Sequence, residues 1–175
     1  MNLLFRFQQY IQQHHLFQPK DQLLLAVSGG VDSIVLVDLC HKTGYRFSIA
    51  HCNFQLRGEE SDADETFVHL LGEKYNVEVL VKKFDTAAYA TEKKLSIQEA
   101  ARVLRYEWFE EIRSKNKYQY ILTAHHAADS VETILLQLTR GTGMAGMGYT
   151  WLEAGAEPVA RPGVLAVVMP LKEVL

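Results

Sequence analysis

Three stretches of this chain gather residue types that do chemistry. The first is Ser28-Gly29-Gly30-Val31-Asp32-Ser33, which joins an apolar run to a helical pattern. Paired glycines let a backbone turn tightly and approach an anion with no Cβ in the way. A helix that follows such a turn offers unpaired N–H groups and a partial positive charge, a natural seat for phosphate. Ser28 and Ser33 add hydroxyl donors. Asp32 would repel phosphate, so its carboxylate makes most sense holding Mg²⁺ that bridges phosphate oxygens. The loop is not a Walker A sequence, because the Gly-Lys-Ser/Thr ending is absent, and it is not the GxGxxG fingerprint. The second stretch runs His51-Cys52-Asn53-Phe54-Gln55-Leu56-Arg57-Gly58. The third carries His125-His126-Ala127-Ala128-Asp129 and Glu132, then Arg140-Gly141-Thr142-Gly143.

The elements that must position these residues follow from hydrophobic spacing. Leu3, Leu4, Phe7, Tyr10 and Ile11 form one helical stripe. Gln22–Ser28 is an apolar run that predicts a buried strand. Helices are expected over Ile34–His41 and Glu59–Tyr75, the latter with Phe67, Leu70 and Leu71 inward, and strands over Phe47–His51 and Val77–Val81. Ser96 and Glu99 make a capping box for a helix whose Ile97, Ala101, Leu104, Trp108 and Ile112 pack on the sheet. A strand at Tyr118–Ala124, a helix at Asp129–Leu138 and a fifth strand at Val164–Met169 complete the pattern, with a glycine-rich stretch at Gly141–Gly148 between the last two. Strand and helix in alternation predict an α/β fold, a doubly wound parallel sheet of about five strands with helices on both faces. Ligands of such sheets bind outside the carboxyl ends of the strands. All three loaded stretches fall at strand ends.

Composition sets limits on partners. The chain has 175 residues, 48% hydrophobic and 22% charged, with a net charge of −3. That suits one domain burying roughly 70% of its unfolded surface. A domain that grips long nucleic acid by charge alone is usually basic, so this one would need a local patch or help from another domain or chain. No apolar run approaches the ~20 residues of a membrane span. The start has no signal-peptide pattern, and two cysteines, Cys40 and Cys52, make no disulfide framework. A cytoplasmic protein with no membrane partner is expected.

The first loop resembles the pyrophosphate loop, SGGxDS, of the ATP pyrophosphatases (the PP-loop, or adenine nucleotide alpha hydrolase-like, ATPases). The second and third stretches, with Ala101-Arg102-Val103-Leu104-Arg105-Tyr106 between them, resemble the catalytic domain of the tRNA(Ile)-lysidine synthetases, whose pattern is HxNHxLRG, ARxxRY, AHHxDDxxET and RGTG. The match runs from about Leu23 to Gly148. The resemblance implies that ATP adenylates C2 of the wobble cytidine of a CAU-anticodon tRNA(Ile) and that free L-lysine then displaces AMP. By similarity Ser28, Gly29, Gly30, Val31, Asp32 and Ser33 hold the ATP phosphates, with His51 and Asn53 at the adenosine end. Asp32 takes Mg²⁺, and Asp32, His125 and Asp129 are the catalytic set. Arg57, Arg105, Glu132 and Arg140 meet lysine or tRNA. An ammonium must lose its proton to attack, which suits His125 and Asp129, and Arg57 can offset charge on the leaving phosphate.

The chain departs from that pattern at three places. Phe54 stands where the family often has a second His, so any polar contact of that His is lost. Ala128 replaces an acidic or amide residue, and Met169 replaces an Arg. Family members also continue into tRNA-gripping domains, which implies that residues 1–175 are one ATP-binding catalytic domain without them. The alternatives are an ATP-binding module without catalysis and another PP-loop tRNA-modifying ligase. Zinc on His51, Cys52 and His125 lacks ligand spacing, and Arg102 and Arg105 could pair with Glu99 instead of facing RNA. A Val164–Leu175 edge could join two copies as a homodimer.

Overall fold

The computed structural model describes residues 3–13, 15–125, 150–151 and 164–168. The elements in chain order are α1 (Leu3–Gln13), β1 (Gln22–Ala26), α2 (Val31–Lys42), β2 (Arg46–Asn53), α3 (Glu59–Tyr75), β3 (Val79–Lys83), α4 (Thr86–Lys93), α5 (Ile97–Asn116), β4 (Tyr120–His125), β5 (Thr150–Trp151) and β6 (Val164–Val168). Six strands form one sheet in the order β3-β2-β1-β4-β6-β5. Every pairing is parallel, with Leu25 beside Ile49 on one side and Leu122 on the other.

Alternation along the strands explains why helices cover both faces. Leu23 and Leu25 of β1 join Ile49 and Leu122 in one core, packed with Phe7 and Ile11 of α1, Leu36 and Cys40 of α2, and Val68 and Leu71 of α3. Leu24, Ala50 and Ile121 point the other way and meet Trp108, Phe109 and Ile112 of α5. A continuous apolar run is what a strand buried on both faces requires. The α/β architecture is therefore as the spacing predicts, with the two-residue β5 as an extra edge strand.

Several boundaries differ for identifiable reasons. The strands expected to start at Val77 and Tyr118 start two residues later. Val77 N–H instead donates to the Gly72 carbonyl, and Tyr118 N–H to that of Arg113, closing the ends of α3 and α5 behind left-handed Asn76 and Lys117. The inward face of α3 is Val68, Leu71, Gly72 and Tyr75, a three- and four-residue stripe; Phe67 and Leu70 lie off it and are exposed. Ile97, at the start of the α5 stripe, is exposed as well. The short α4, capped by Asp85 accepting from Ala88 N–H, carries no apolar stripe that the sequence could announce. The capping box at Ser96 and Glu99 forms as expected. The helix expected over Asp129–Leu138 and the glycine-rich stretch Gly141–Gly148 lie outside the described residues, as do Ala128, Asp129, Glu132, Arg140 and Met169.

Candidate functional site

The sheet reverses its winding between β1 and β4, because β1 leads outward to β2 and β3 while β4 leads to β6. Loops that leave such neighbours diverge and open a crevice at the carboxyl ends of the strands. A cavity of about 440 Å³ occupies that place. Its wall takes Ser28 after β1, His51, Cys52 and Asn53 from the end of β2, and Thr123 and Ala124 from the end of β4. Arg57 and Asp64 close one side, and Arg105 and Phe109 of α5 the other.

The loop after β1 is built to face an anion. Gly29 sits at φ 93°, a left-handed conformation that glycine adopts without strain. Ser33 Oγ donates to the Gly30 carbonyl at 2.7 Å, and Gly30 N–H donates to Ser28 Oγ at 3.3 Å, which fixes both hydroxyls beside the turn. The N-cap of α2 is Gly30, and no side chain caps the helix. A first helical turn left uncapped presents N–H groups and the positive end of the dipole, and phosphate fits that chemistry. Asp32 lies in this first turn. Among the described residues no group of three or more His, Cys, Asp or Glu could hold a metal by itself. One carboxylate fits Mg²⁺ that arrives with phosphate ligands of its own.

His51 is buried, and its Nδ1 lies 2.7 Å from the Val27 carbonyl. A carbonyl can only accept, so Nδ1 carries a proton, and in the neutral ring Nε2 presents a lone pair. Among the described residues Nε2 has no partner. Cys52 beside it is pushed up to about 12 by burial, against a smaller downward pull from the Arg105 and Lys82 charges. At neutral pH it is therefore a thiol and a weak nucleophile.

Asn53 also reaches the wall, and its polar atoms hold the scaffold together. Its amide donates to Glu65 Oε2 at 2.7 Å, Asp62 Oδ1 at 3.1 Å and the Ser61 carbonyl at 3.3 Å, while its Oδ1 accepts from Gln55 N–H. Lys83 bridges the same two carboxylates at 3.0 and 3.3 Å. Hydrogen bonds from Lys83 and then Asn53 hold the Asp62 carboxyl below its ordinary value. Together they tie the ends of β2 and β3 to the first turns of α3, which carry Asp64 and follow directly on the loop that carries Arg57.

Over residues 3–170 the chain matches the PP-loop domain family. It belongs to that family. The PP-loop domain is 52% identical over 138 residues to the tRNA(Ile)-lysidine synthase of Bacteroides thetaiotaomicron, covering 79% of this chain and 32% of that protein. It is 45% identical to the Porphyromonas gingivalis protein of the same name, over 84% of this chain and 33% of the relative. The Chlorobaculum tepidum tRNA(Ile)-lysidine synthase is 40% identical over 90% of this chain and 48% of its own length. The chain thus spans about a third to a half of these relatives. Among solved structures it resembles the U34-tRNA thiolase of Methanococcus maripaludis, with a TM-score of 0.68 at 15% identity over 91% of this chain and 57% of that one. The NH3-dependent NAD synthetase of Campylobacter jejuni gives 0.51 at 15% identity, over 68% and 52%. At such identities the likeness is one of fold.

Within the PP-loop domain, Ser28, Ser33, His51, Asn53, Arg57 and Arg105 line one cavity. Gly29, Gly30, Val31 and Asp32 shape the loop and helix start without lining the wall, and Val31 is exposed. His125 ends β4. Asp64 joins them in the wall, though it belongs to none of the three chemically loaded stretches. Its Oδ2 binds Arg57 Nη2 at 3.1 Å, and a Cβ added at Gly29 would stand 3.3 Å from its Oδ1. Arg57 also lies 3.6 Å from Glu60. The four-residue step from Glu60 to Asp64 behind Arg57 was the available signal, since it sets both carboxylates on the helix face nearest that arginine.

No helix among the described residues is long and apolar enough to cross a membrane.

Proposed function

We propose that this chain is the ATP-using catalytic domain of a tRNA(Ile)-lysidine synthase. One observation carries the reading: the PP-loop hydroxyls, the residues of the His51–Arg57 loop and Arg105 converge on a single cavity at the sheet's switch point, in a chain 40–52% identical over most of its length to proteins of that name.

In this reading ATP lies with its phosphates on the Ser28–Ser33 loop and the α2 N-terminus, and its adenosine end toward His51. Asp32 would hold Mg²⁺ here, and the ion would supply neutralisation of the phosphate charge. The C2 oxygen of the wobble cytidine attacks the α-phosphorus and pyrophosphate leaves. The amine of free lysine, its proton taken up by His125 or Asp129, then attacks C2, and AMP departs with the former C2 oxygen. Arg57, Arg105, Glu132 and Arg140 contact lysine or the tRNA and offset phosphate charge. With a net charge of −3, the domain leaves most of the grip on tRNA to the part of such proteins beyond the match. The substrate places the work in the cytoplasm.

The test is nucleotide product analysis on the purified chain with Mg-ATP, lysine and unmodified CAU-anticodon tRNA(Ile), omitting one component at a time. AMP and pyrophosphate that require both lysine and tRNA are the expected result. AMP formed equally without lysine, or with any other amine in its place, would overturn the assignment.

A further inference from the structure

Phe54 lies in the loop after β2, between Asn53 and Arg57 of the cavity wall, and its surroundings show what the phenyl ring does. The Arg105 guanidinium lies over the Phe54 ring, 5.2 Å from its centroid. Phe84 stacks against Phe54 at 5.6 Å with an interplanar angle of 20°, and Trp108 meets Phe84 edge-on at 6.2 Å. Phe84 and Trp108 are buried. The backbone of Phe54 is fixed too: its carbonyl accepts from the Thr86 hydroxyl at 2.9 Å, and the next residue, Gln55, donates from its side chain to the Phe84 carbonyl. Phe54 is therefore the outer member of an aromatic stack whose base is the core.

Arg105 needs such a support. It is half-buried in the cavity wall, and among the described residues it makes no ion pair and no hydrogen bond. Arg57 across the cavity is instead held by Asp64 and Glu60. A guanidinium stacked on a ring face keeps all five N–H donors in its own plane, free for a ligand. An arginine tied to a carboxylate must first release it.

We propose that Phe54 is a positioning residue that holds Arg105 in the cavity with its donors open to an anionic or RNA ligand. The proposal rests on the reading above for the identity of that ligand, and on geometry alone for the placement of the side chain.

Phe54→Leu removes the π face and keeps apolar bulk, and Phe54→Tyr restores the face. Two readouts separate the claims. The first is the arginine Nε–H resonance assigned to Arg105 by its loss in Arg105→Ala. In the wild type it should carry a ring-current shift that vanishes in Phe54→Leu and persists in Phe54→Tyr. The second is steady-state turnover: Phe54→Leu should lower kcat/KM for tRNA or lysine roughly 3- to 30-fold, leave KM for ATP unchanged, and have no further effect in an Arg105→Ala background. An unshifted resonance in the wild type, or a Phe54→Leu defect that adds in full to Arg105→Ala, overturns the positioning role. If the wild type makes no AMP with tRNA and lysine, the functional reading fails and the resonance decides the placement by itself.

Discussion

Alanine at position 29 places one methyl group against two separate obstacles in the loop after β1. The backbone there is at φ 93°, a conformation that costs an L-residue roughly 1–2 kcal/mol. The new Cβ would also stand 3.3 Å from Asp64 Oδ1 and 3.5 Å from the carboxyl carbon. The Asp64 side chain is 36% exposed and can yield a few tenths of an ångström, so this contact adds less than the backbone strain does. Moving it loosens the 3.1 Å pair that anchors Arg57. Gly29→Ala should therefore destabilise the fold by about 1–3 kcal/mol and weaken nucleotide binding as the loop relaxes. Urea unfolding followed by tryptophan fluorescence, with ATP affinity measured calorimetrically, reads both effects. In an Asp64→Ala background the crowding is gone and the strain remains, so most of the stability cost should persist. A Gly29→Ala protein as stable as wild type would refute the reasoning, and so would complete rescue by Asp64→Ala, since that would make the contact and not φ the cause.

Two further outcomes follow from groups around the cavity. Asn53→Asp sets a third carboxylate against Asp62 and Glu65, which already share Lys83, and should cost about 2–4 kcal/mol at neutral pH. The new acid has its folded pKa raised by burial and its neighbours, so the folded state binds its proton more tightly and the deficit should shrink as pH falls through that value; equal deficits in urea melts at pH 5 and pH 7.5 would contradict this. Burial pushes the Cys52 thiol up to about 12, leaving a thiolate fraction on the order of 10⁻⁴ at pH 8, and the buried Cys40 is raised further. Neither should react with an aromatic disulfide reagent in the native protein, and both should react together on unfolding. Rapid labelling of Cys52 in the folded state would show that the cavity wall is open at that point.

The chain's own residues determined the local steps of this fold. The glycine pair before a helical pattern, the capping box at Ser96 and Glu99, and the run at Leu23–Leu25 depend on neighbours in sequence, so spacing alone discloses them. The residues that follow β1 and β2 in the chain, Ser28 and His51 to Arg57, are likewise set at strand ends by chain order. Tertiary structure decided the rest, because it rests on contacts between distant segments. Whether Phe67 or Val68 faces inward depends on how α3 lies across the sheet, and Gly72, where an added Cβ would meet Val79 Cγ2 at 2.1 Å, shows how closely it lies. The pairing of Asp64 with Arg57 and the stacking of Arg105, from α5, on Phe54 of the loop after β2 have no signature in any short window. The tautomer of His51 is likewise set by a carbonyl 24 positions away, brought within 2.7 Å only when β1 and β2 pair. Periodicity records which side of an element is apolar; the approach of two elements, and the polar groups it forces together, exists only once the sheet has assembled.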